Sequence, residues 1–273
     1  MKHFILTTNP DKDGLIRLEG NDYHYLVRVR RLAVGEVFPA LLPGGEEVLV
    51  RIQSIEQNVI IGKCIKNEPD EDSDAVSAGC APIILFQALP KGDKMDLIVR
   101  QAAEGGIAEV VPFVSEFSIA KTGAVGQKFA RWERIIKEAR QQSGSRAATK
   151  LHEPLTMNEL FDYWKKIRED GREGAPLGIL FHHVKMPQKG LDLNSFHGYL
   201  EINPKIAVFA IGPEGGFSER EVCLFIENGF KPLTIGDTIL RTETAALYCA
   251  AAIRIILLER ETWELSKAKS NKG

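Results

Sequence analysis

Two turns carry the residue types that could do chemistry. Residues 212–216 read Gly-Pro-Glu-Gly-Gly and residues 240–244 read Leu-Arg-Thr-Glu-Thr, each flanked by apolar sequence. With Gly212, Gly215 and Gly216 in the first turn, side chains are scarce and main-chain N–H and C=O groups can approach a ligand. The second turn puts Arg241 and Glu243 between an apolar strand and an apolar helix, where a plain connection needs neither. An arginine at such a place can stabilise negative charge that develops on a reacting group. Glu214 or Glu243 can accept a proton, or can simply hold its own turn by bonding backbone N–H groups. A single glycine turn is as often an ordinary strand-to-helix loop, and this one matches neither G-x-G-x-x-G nor a Gly-Lys-Ser/Thr phosphate loop. The second turn beside it favours a pocket.

The elements that must position these turns follow from pattern. Residues 206–211 form a β-branched apolar run of buried-strand length. Ser218 and Glu221 make a capping box, and Val222, Phe225 and Ile226 give the buried stripe of a short helix stopped at Gly229. A short strand is expected over 233–236 and an apolar helix over 245–258. Upstream, strands at 83–86, 110–113 and 177–181 alternate with helices at 93–104 and 156–168. The second helix opens on the box Thr156-x-x-Glu159. Between them, Phe129, Trp132, Ile136 and Ala139 share a helical face. This is the pattern of an α/β domain with a mostly parallel sheet. Residues 1–70 read differently, as a small β-rich module: period-two alternation over 48–55, a partner run at 59–65, and a hairpin turn at Gly44-Gly45. A helix at 22–32 with Asn21 as N-cap interrupts it. An acidic, polar stretch at 71–81 reads as a linker, 82–262 as the α/β domain and 263–273 as a polar tail.

Composition limits the class. The 273 residues are 44% hydrophobic and 26% charged, as in an ordinary globular protein with a sizeable core. No apolar run reaches membrane-spanning length, and Cys64, Cys80, Cys223 and Cys249 have neither paired nor metal-like spacing. A cytoplasmic protein with reduced thiols is the expectation. The net charge of −2 argues against indiscriminate nucleic-acid binding but leaves room for local basic patches. Two such patches exist: Arg28, Arg30 and Arg31, and a run from Lys128 to Lys150 that includes Arg134, Lys137 and Arg146. A charge run is often only a solvated face, but two patches on two domains can straddle a folded RNA. Adjacent His182 and His183 would point to opposite faces of a strand, with no ligand set around them, so no metal site is expected.

Together the segments IGPEGGF at 211–217 and LTIGDTILRTETAAL at 233–247 resemble the SPOUT-class methyltransferases, and specifically the RsmE family. That family methylates a uridine of small-subunit ribosomal RNA at N3. The segments FQALPKGDKM at 86–95, RQAAEGGI at 100–107 and QQSG at 141–144 resemble further family motifs, as does 25–35 near the N-terminus. Ser145 stands where the family usually has arginine, Arg30 where it has leucine, and His3 where an arginine is expected. The resemblance implies a trefoil-knotted α/β domain preceded by a PUA-like β-barrel that binds RNA, in a homodimer. It implies S-adenosylmethionine held by three loops, here Leu180, Phe181 and His182; Ile211, Gly212, Pro213 and Gly216; and Ile235, Gly236 and Leu240. Arg28, Arg30, Arg31, Lys91, Lys94, Arg134, Lys137 and Arg146 would meet the small-subunit ribosomal RNA, free or assembled. Arg241, with Glu214 or Glu243 as proton acceptor, would carry the chemistry. Two rivals are a SPOUT ribose 2′-O-methyltransferase and a non-catalytic RNA-binding assembly protein. The first usually carries Asn-Glu and Ser-Leu-Asn where this chain has Pro213-Glu214 and Leu240-Arg-Thr-Glu.

Overall fold

The structure is a computed structural model that describes residues 3–66, 81–118, 126–170, 174–182, 204–234 and 238–270. It divides into two compact units, Met1–Val76 with Lys137–Ala148, and Ser77–Ile136 with Thr149–Gly273. The sequence reading gives residues 137–148 to the second domain; the structure gives them to the first.

In the first unit the strands are β1 (Phe4–Ile5), β2 (Leu15–Glu19), β3 (Val37–Leu41), β4 (Glu47–Glu56) and β5 (Val59–Lys66). They form one sheet ordered β1-β3-β4-β5-β2, antiparallel except for β1 on β3. Its buried face collects Phe4, Leu18, Leu26, Phe38, Val50, Ile52 and Ile60 into one core. Gly45, at φ 92°, turns the expected β3–β4 hairpin, and Gln57 and Asn58 turn the next with positive φ. The helical interruption departs from expectation. It is α1 (Asn21–Tyr23) continued by a π-helical stretch, His24–Val29. Its N-cap is Gly20 rather than Asn21, because the turn out of β2 requires φ 59° and His24 N–H donates to the Gly20 carbonyl. Residues 137–148 belong here through side chains: Lys137 Nζ pairs with Asp22 at 2.8 Å, and Arg146 Nη2 with Glu47 at 2.8 Å.

Among the described residues the second unit holds β6 (Ile83–Ala88), β7 (Glu109–Phe113), β8 (Lys150–Leu151), β9 (Leu177–Phe181), β10 (Ala207–Ile211) and β11 (Lys231–Leu233). All pairs are parallel, in the order β11-β9-β10-β6-β7-β8. Strands β6, β9 and β10 are buried at every position, the signature of a parallel sheet covered on both faces. On one face α4 (Met157–Glu169) and α5 (Glu219–Glu227) seat Leu160, Trp164, Val222 and Phe225 against Phe86, Phe113 and Phe230. Both helices open on the expected capping boxes, at Thr156/Glu159 and Ser218/Glu221. The other helices are α2 (Lys94–Glu104), α3 (Gly126–Ser143) and α6 (Thr242–Ser270). Helix α6 starts before the expected residue 245 and continues past Thr262 to Ser270. It buries Ala246, Ala250, Ile253 and Leu257, yet leaves Leu247, Tyr248, Ile255 and Leu258 exposed.

Away from the two turns, Glu109 at the start of β7 accepts hydrogen bonds from His152 Nε2 and the Tyr163 hydroxyl, both at 2.5 Å. The His152 bond is the main reason its carboxyl sits below the ordinary range; burial opposes it and the Tyr163 bond adds to it. Tyr163 is pushed up, first by burial and then by Glu109, and stays a neutral donor. A depressed carboxyl contributes stability that is present above its unfolded pKa of about 4.3 and is lost as pH falls through the lower folded value. Glu109→Gln should therefore cost about 1–2 kcal/mol at neutral pH. The loss relative to the parent should shrink below pH 4, which urea unfolding across pH 3–7 will measure.

Candidate active site

Chain order reverses between β6 and β10: from β6 the chain runs outward through β7 and β8, and the later strands fill the other side. Ligands in open parallel sheets bind at such a switch point, beyond the carboxyl ends of the strands. A cavity of about 670 Å³ lies there. Its walls are the residues that follow β9 (Phe181, His182), β10 (residues 211–217) and β11 (Leu233, Thr234), closed by residues 238–242 and by Ala245 and Cys249 of α6. The volume falls within the range of pockets that bury a cofactor-sized molecule.

The glycine turn is built by its own main chain. Gly216, at φ 72°, donates its N–H to the Pro213 carbonyl. A side chain on Gly212 would come within 3.1 Å of the Gly216 carbonyl carbon, and one on Gly215 within 3.1 Å of the Phe117 side chain. Thr242 locks the turn to helix α6: its hydroxyl donates to the Gly212 carbonyl at 2.7 Å and accepts from Gln87 Nε2 at 3.0 Å.

Glu214 faces away from free proton transfer. It accepts from the Lys91 backbone N–H at 3.1 Å and from Lys94 Nζ at 2.6 Å, which joins the glycine turn to the start of α2. Burial alone would raise its carboxyl; the bond from Lys94 and those from backbone N–H groups outweigh it and hold the group lower. Of the two roles open to Glu214, the turn-holding one is what the geometry favours. Glu243, in the first turn of α6, is half-buried with Oε2 buried and unbonded, and it is not among the residues lining the cavity. Arg241 lines the cavity and is exposed; its main-chain carbonyl accepts from Ala245 N–H at 2.8 Å, while its guanidinium makes no hydrogen bond or ion pair among the described residues. A cationic fork at a pocket wall, with no partner among the described residues, is poised for a ligand.

Of the expected cofactor residues, Phe181, His182, Ile211, Gly212, Pro213, Gly216 and Leu240 line the cavity. Leu180 does not: alternation along β9 turns it into the core cluster with Trp164 and Phe230, fully buried. Ile235, Gly236 and His183 lie outside the described residues. The sequence reading missed Gln87, Thr242, Ala245 and Cys249. The last three share one face at i, i+3 and i+7 of α6, so a helix start placed at Thr242 would have revealed them. Burial raises the Cys249 thiol, which keeps it neutral. Gln87 is the one polar residue in an otherwise apolar, wholly buried strand.

The basic residues separate into engaged and available. Arg28, Arg30 and Arg31 are exposed on the first unit, with no side-chain hydrogen bond or ion pair among the described residues. Lys137 is tied to Asp22 and lies 5.9 Å from the Phe4 ring centre. Arg146 and His3 converge on Glu47 Oε1, at 2.8 and 3.2 Å. Lys94 holds Glu214 and lines the cavity; Lys91 is exposed, and Arg134 is exposed but engaged by a neighbour. Among the described residues no group of three or more His, Cys, Asp or Glu side chains is placed to hold a metal ion, and no helix is long and apolar enough to cross a membrane.

Fold and site set the class: a parallel α/β domain with a main-chain-built pocket beyond its strand ends, in a chain that also carries a small β module. Residues 78–254 match the model of the RNA methyltransferase domain, and residues 18–63 that of the RNA methyltransferase PUA domain. The chain belongs to this RNA methyltransferase family, in its RsmE branch. It is 28% identical to ribosomal RNA small subunit methyltransferase E of Synechocystis sp., over 90% of this chain and 74% of that one. It is 29% identical to ribosomal RNA small subunit methyltransferase E 2 of Borreliella burgdorferi, over 94% and 98%. The crystal structure of ribosomal RNA small subunit methyltransferase E from Neisseria gonorrhoeae, bound to S-adenosyl methionine, superposes with a TM-score of 0.73 at 25% identity, covering 94% of this chain and 98% of that one.

Proposed function

We propose that the protein methylates N3 of a uridine in small-subunit ribosomal RNA, with S-adenosylmethionine as methyl donor. The observation that carries this reading is the cavity beyond the strand ends, walled by the glycine turn and by Arg241, whose guanidinium has no partner among the described residues, in a chain of the RNA methyltransferase family. Phe181, Ile211 and Leu240 offer apolar walls for an adenine ring, and the main chain around Gly212 and Gly216 offers donors and acceptors. The donor, when bound, supplies an electrophilic methyl group. The uridine must lose its N3 proton before N3 can attack, and the charge then spreads over O2 and O4. Arg241 stabilises that charge and orients the ring through its planar fork. The proton leaves to water, since Glu214 is committed to Lys94 and Lys91 and Glu243 does not line the cavity. The reacting edge is hidden in a paired helix, so the base must be unpaired or flipped out.

In this reading the second unit forms the trefoil knot of its class and the first closes into a PUA-like barrel. The substrate is free ribosomal RNA or the assembled small subunit in the cytoplasm. Arg28, Arg30 and Arg31 grip phosphate, with Lys91 and Arg134 as further contacts; Lys137 and Arg146 contribute only if released from Asp22 and Glu47. Neutralising Arg30 and Arg31 together should weaken RNA binding and flatten its salt dependence by about 0.7–0.9 in log–log slope per lost phosphate contact. An unchanged slope would remove this module as the RNA arm.

The chain also acts as a homodimer in this reading. Leu247, Tyr248, Ile255 and Leu258 of α6 are exposed alongside Leu97 of α2, an apolar face that one copy leaves uncovered. Light scattering at micromolar concentration should return twice the 30.3 kDa chain mass; a single-chain mass excludes the dimer.

The reading as a whole is tested by mass spectrometry of ribosomal RNA from cells with and without the gene. Loss of one base-methylated uridine is expected. Loss of a ribose methyl would favour the 2′-O reading, and no change at all would favour a binding module.

A further inference from the structure

We propose that Gln87 and Thr242 form a positioning relay that sets the spacing between the two turns of the pocket. The relay has a forced polarity. Gln87 Nε2 donates to the Ala88 carbonyl at 2.9 Å, and a carbonyl can only accept. The amide nitrogen is thereby fixed as the group that faces Thr242, to which it also donates at 3.0 Å. The Thr242 hydroxyl, having accepted, turns its own proton to the Gly212 carbonyl at 2.7 Å, again a pure acceptor. Every link has only one workable direction.

The cost of this arrangement is visible. Gln87 is completely buried and its Oε1 has no partner among the described residues. An orphaned buried carbonyl is destabilising, and an apolar side chain on this central strand would avoid it. The amide is retained where only its donor end is used, and that end reaches the second turn at Thr242 and, through the Thr242 hydroxyl, the Gly212 carbonyl of the first. Thr242 is itself buried, while its neighbour Arg241 is exposed and lines the cavity. Fixing Thr242 therefore fixes the backbone from which Arg241 projects, and fixing the Gly212 carbonyl inward leaves the rest of the turn facing the cavity. Gln87 and Thr242 act through these neighbours and not on the reacting atoms. The kinetic consequence of the relay rests on the methyltransferase reading; the geometric one does not.

Three variants test it. Thr242→Val keeps the shape and removes both bonds, Thr242→Ser keeps the hydroxyl, and Gln87→Glu replaces the donor with a carboxylate that can only accept. Single-turnover methylation at saturating RNA and S-adenosylmethionine should fall about tenfold or more for Thr242→Val, the scale of two lost buried hydrogen bonds, and less than threefold for Thr242→Ser. For Gln87→Glu the rate relative to the parent should climb as pH is lowered, because the protonated carboxyl regains a donor. A group that merely fills space would give no such pH dependence. In parallel, amide hydrogen exchange of the ligand-free protein should accelerate in residues 212–217 and 240–246 together when Thr242 becomes valine. Equal rates for the valine and serine variants, or faster exchange in one turn only, overturns the relay. A parent protein that methylates no RNA sinks the functional reading, and the exchange experiment still decides the relay.

Discussion

Replacing Gly212 with valine should abolish measurable binding of S-adenosylmethionine, a loss of at least a hundredfold in affinity, or about 2.7 kcal/mol. The residue sits where β10 ends and the cavity begins. Its missing side chain is used by the turn itself, since an added Cβ would lie 3.1 Å from the Gly216 carbonyl carbon, 3.2 Å from its Cα and 3.4 Å from Phe217 N. These are backbone atoms and cannot swing aside. The valine methyl groups must push Gly216 and Phe217 outward, and Phe217 is a buried core residue stacked on Phe113. The variant should consequently lose some thermal stability as well as affinity. Gly212→Ala, with a single carbon to accommodate, should lose about tenfold in affinity, the gap measuring how far the turn can give. Titration calorimetry with S-adenosylmethionine, alongside a melting curve, separates the two effects. Parental affinity in the valine variant at any stability would move the cofactor site elsewhere.

Local chemistry was legible in the sequence, and long-range pairing was not. The two capping boxes, the β3–β4 hairpin and the buried strands follow from residue types within a few positions of one another, and each stands where expected. The two turns could be identified as one pocket because apolar runs of strand length precede a glycine-rich turn and a charged turn. What failed depended on distant partners. Strand β11 begins at Lys231, ahead of the expected Leu233, because Pro232 and Leu233 pair with Leu180 and Phe181 on β9, a register that only the sheet imposes. Pro232 is tolerated because β11 is an edge strand. Lys137 and Arg146 read as free cations until the fold brings up Asp22 and Glu47, 115 and 99 positions away in sequence. His3, a departure from the family pattern, and Arg146, next to the departure at Ser145, share that same Glu47 oxygen. Gln87 was hidden for the same reason, since its partner Thr242 lies 155 residues on.

Arg241→Lys should slow methyl transfer about a hundredfold or more and leave cofactor affinity nearly unchanged. The guanidinium borders the cavity with no partner among the described residues, so the substitution leaves no described group stranded. Lysine keeps the positive charge, which preserves long-range attraction of RNA. It loses the planar fork that could hold uracil O2 or O4 while charge builds there, and removal of one well-placed charge-stabilising donor costs 10²–10³ in rate. A group that acts only in the transition state lowers turnover and turnover over KM equally, whereas a binding group raises KM. Single-turnover methylation at saturating RNA and cofactor, paired with a cofactor titration, distinguishes them. Turnover within a few-fold of the parent would remove Arg241 from the chemistry, and an equal fall in cofactor affinity would make it part of the cofactor's wall. Because Thr242 carries the next position into the relay with Gln87, Thr242→Val and Arg241→Lys should be less than additive in rate: once the fork is gone, its misplacement has little left to cost.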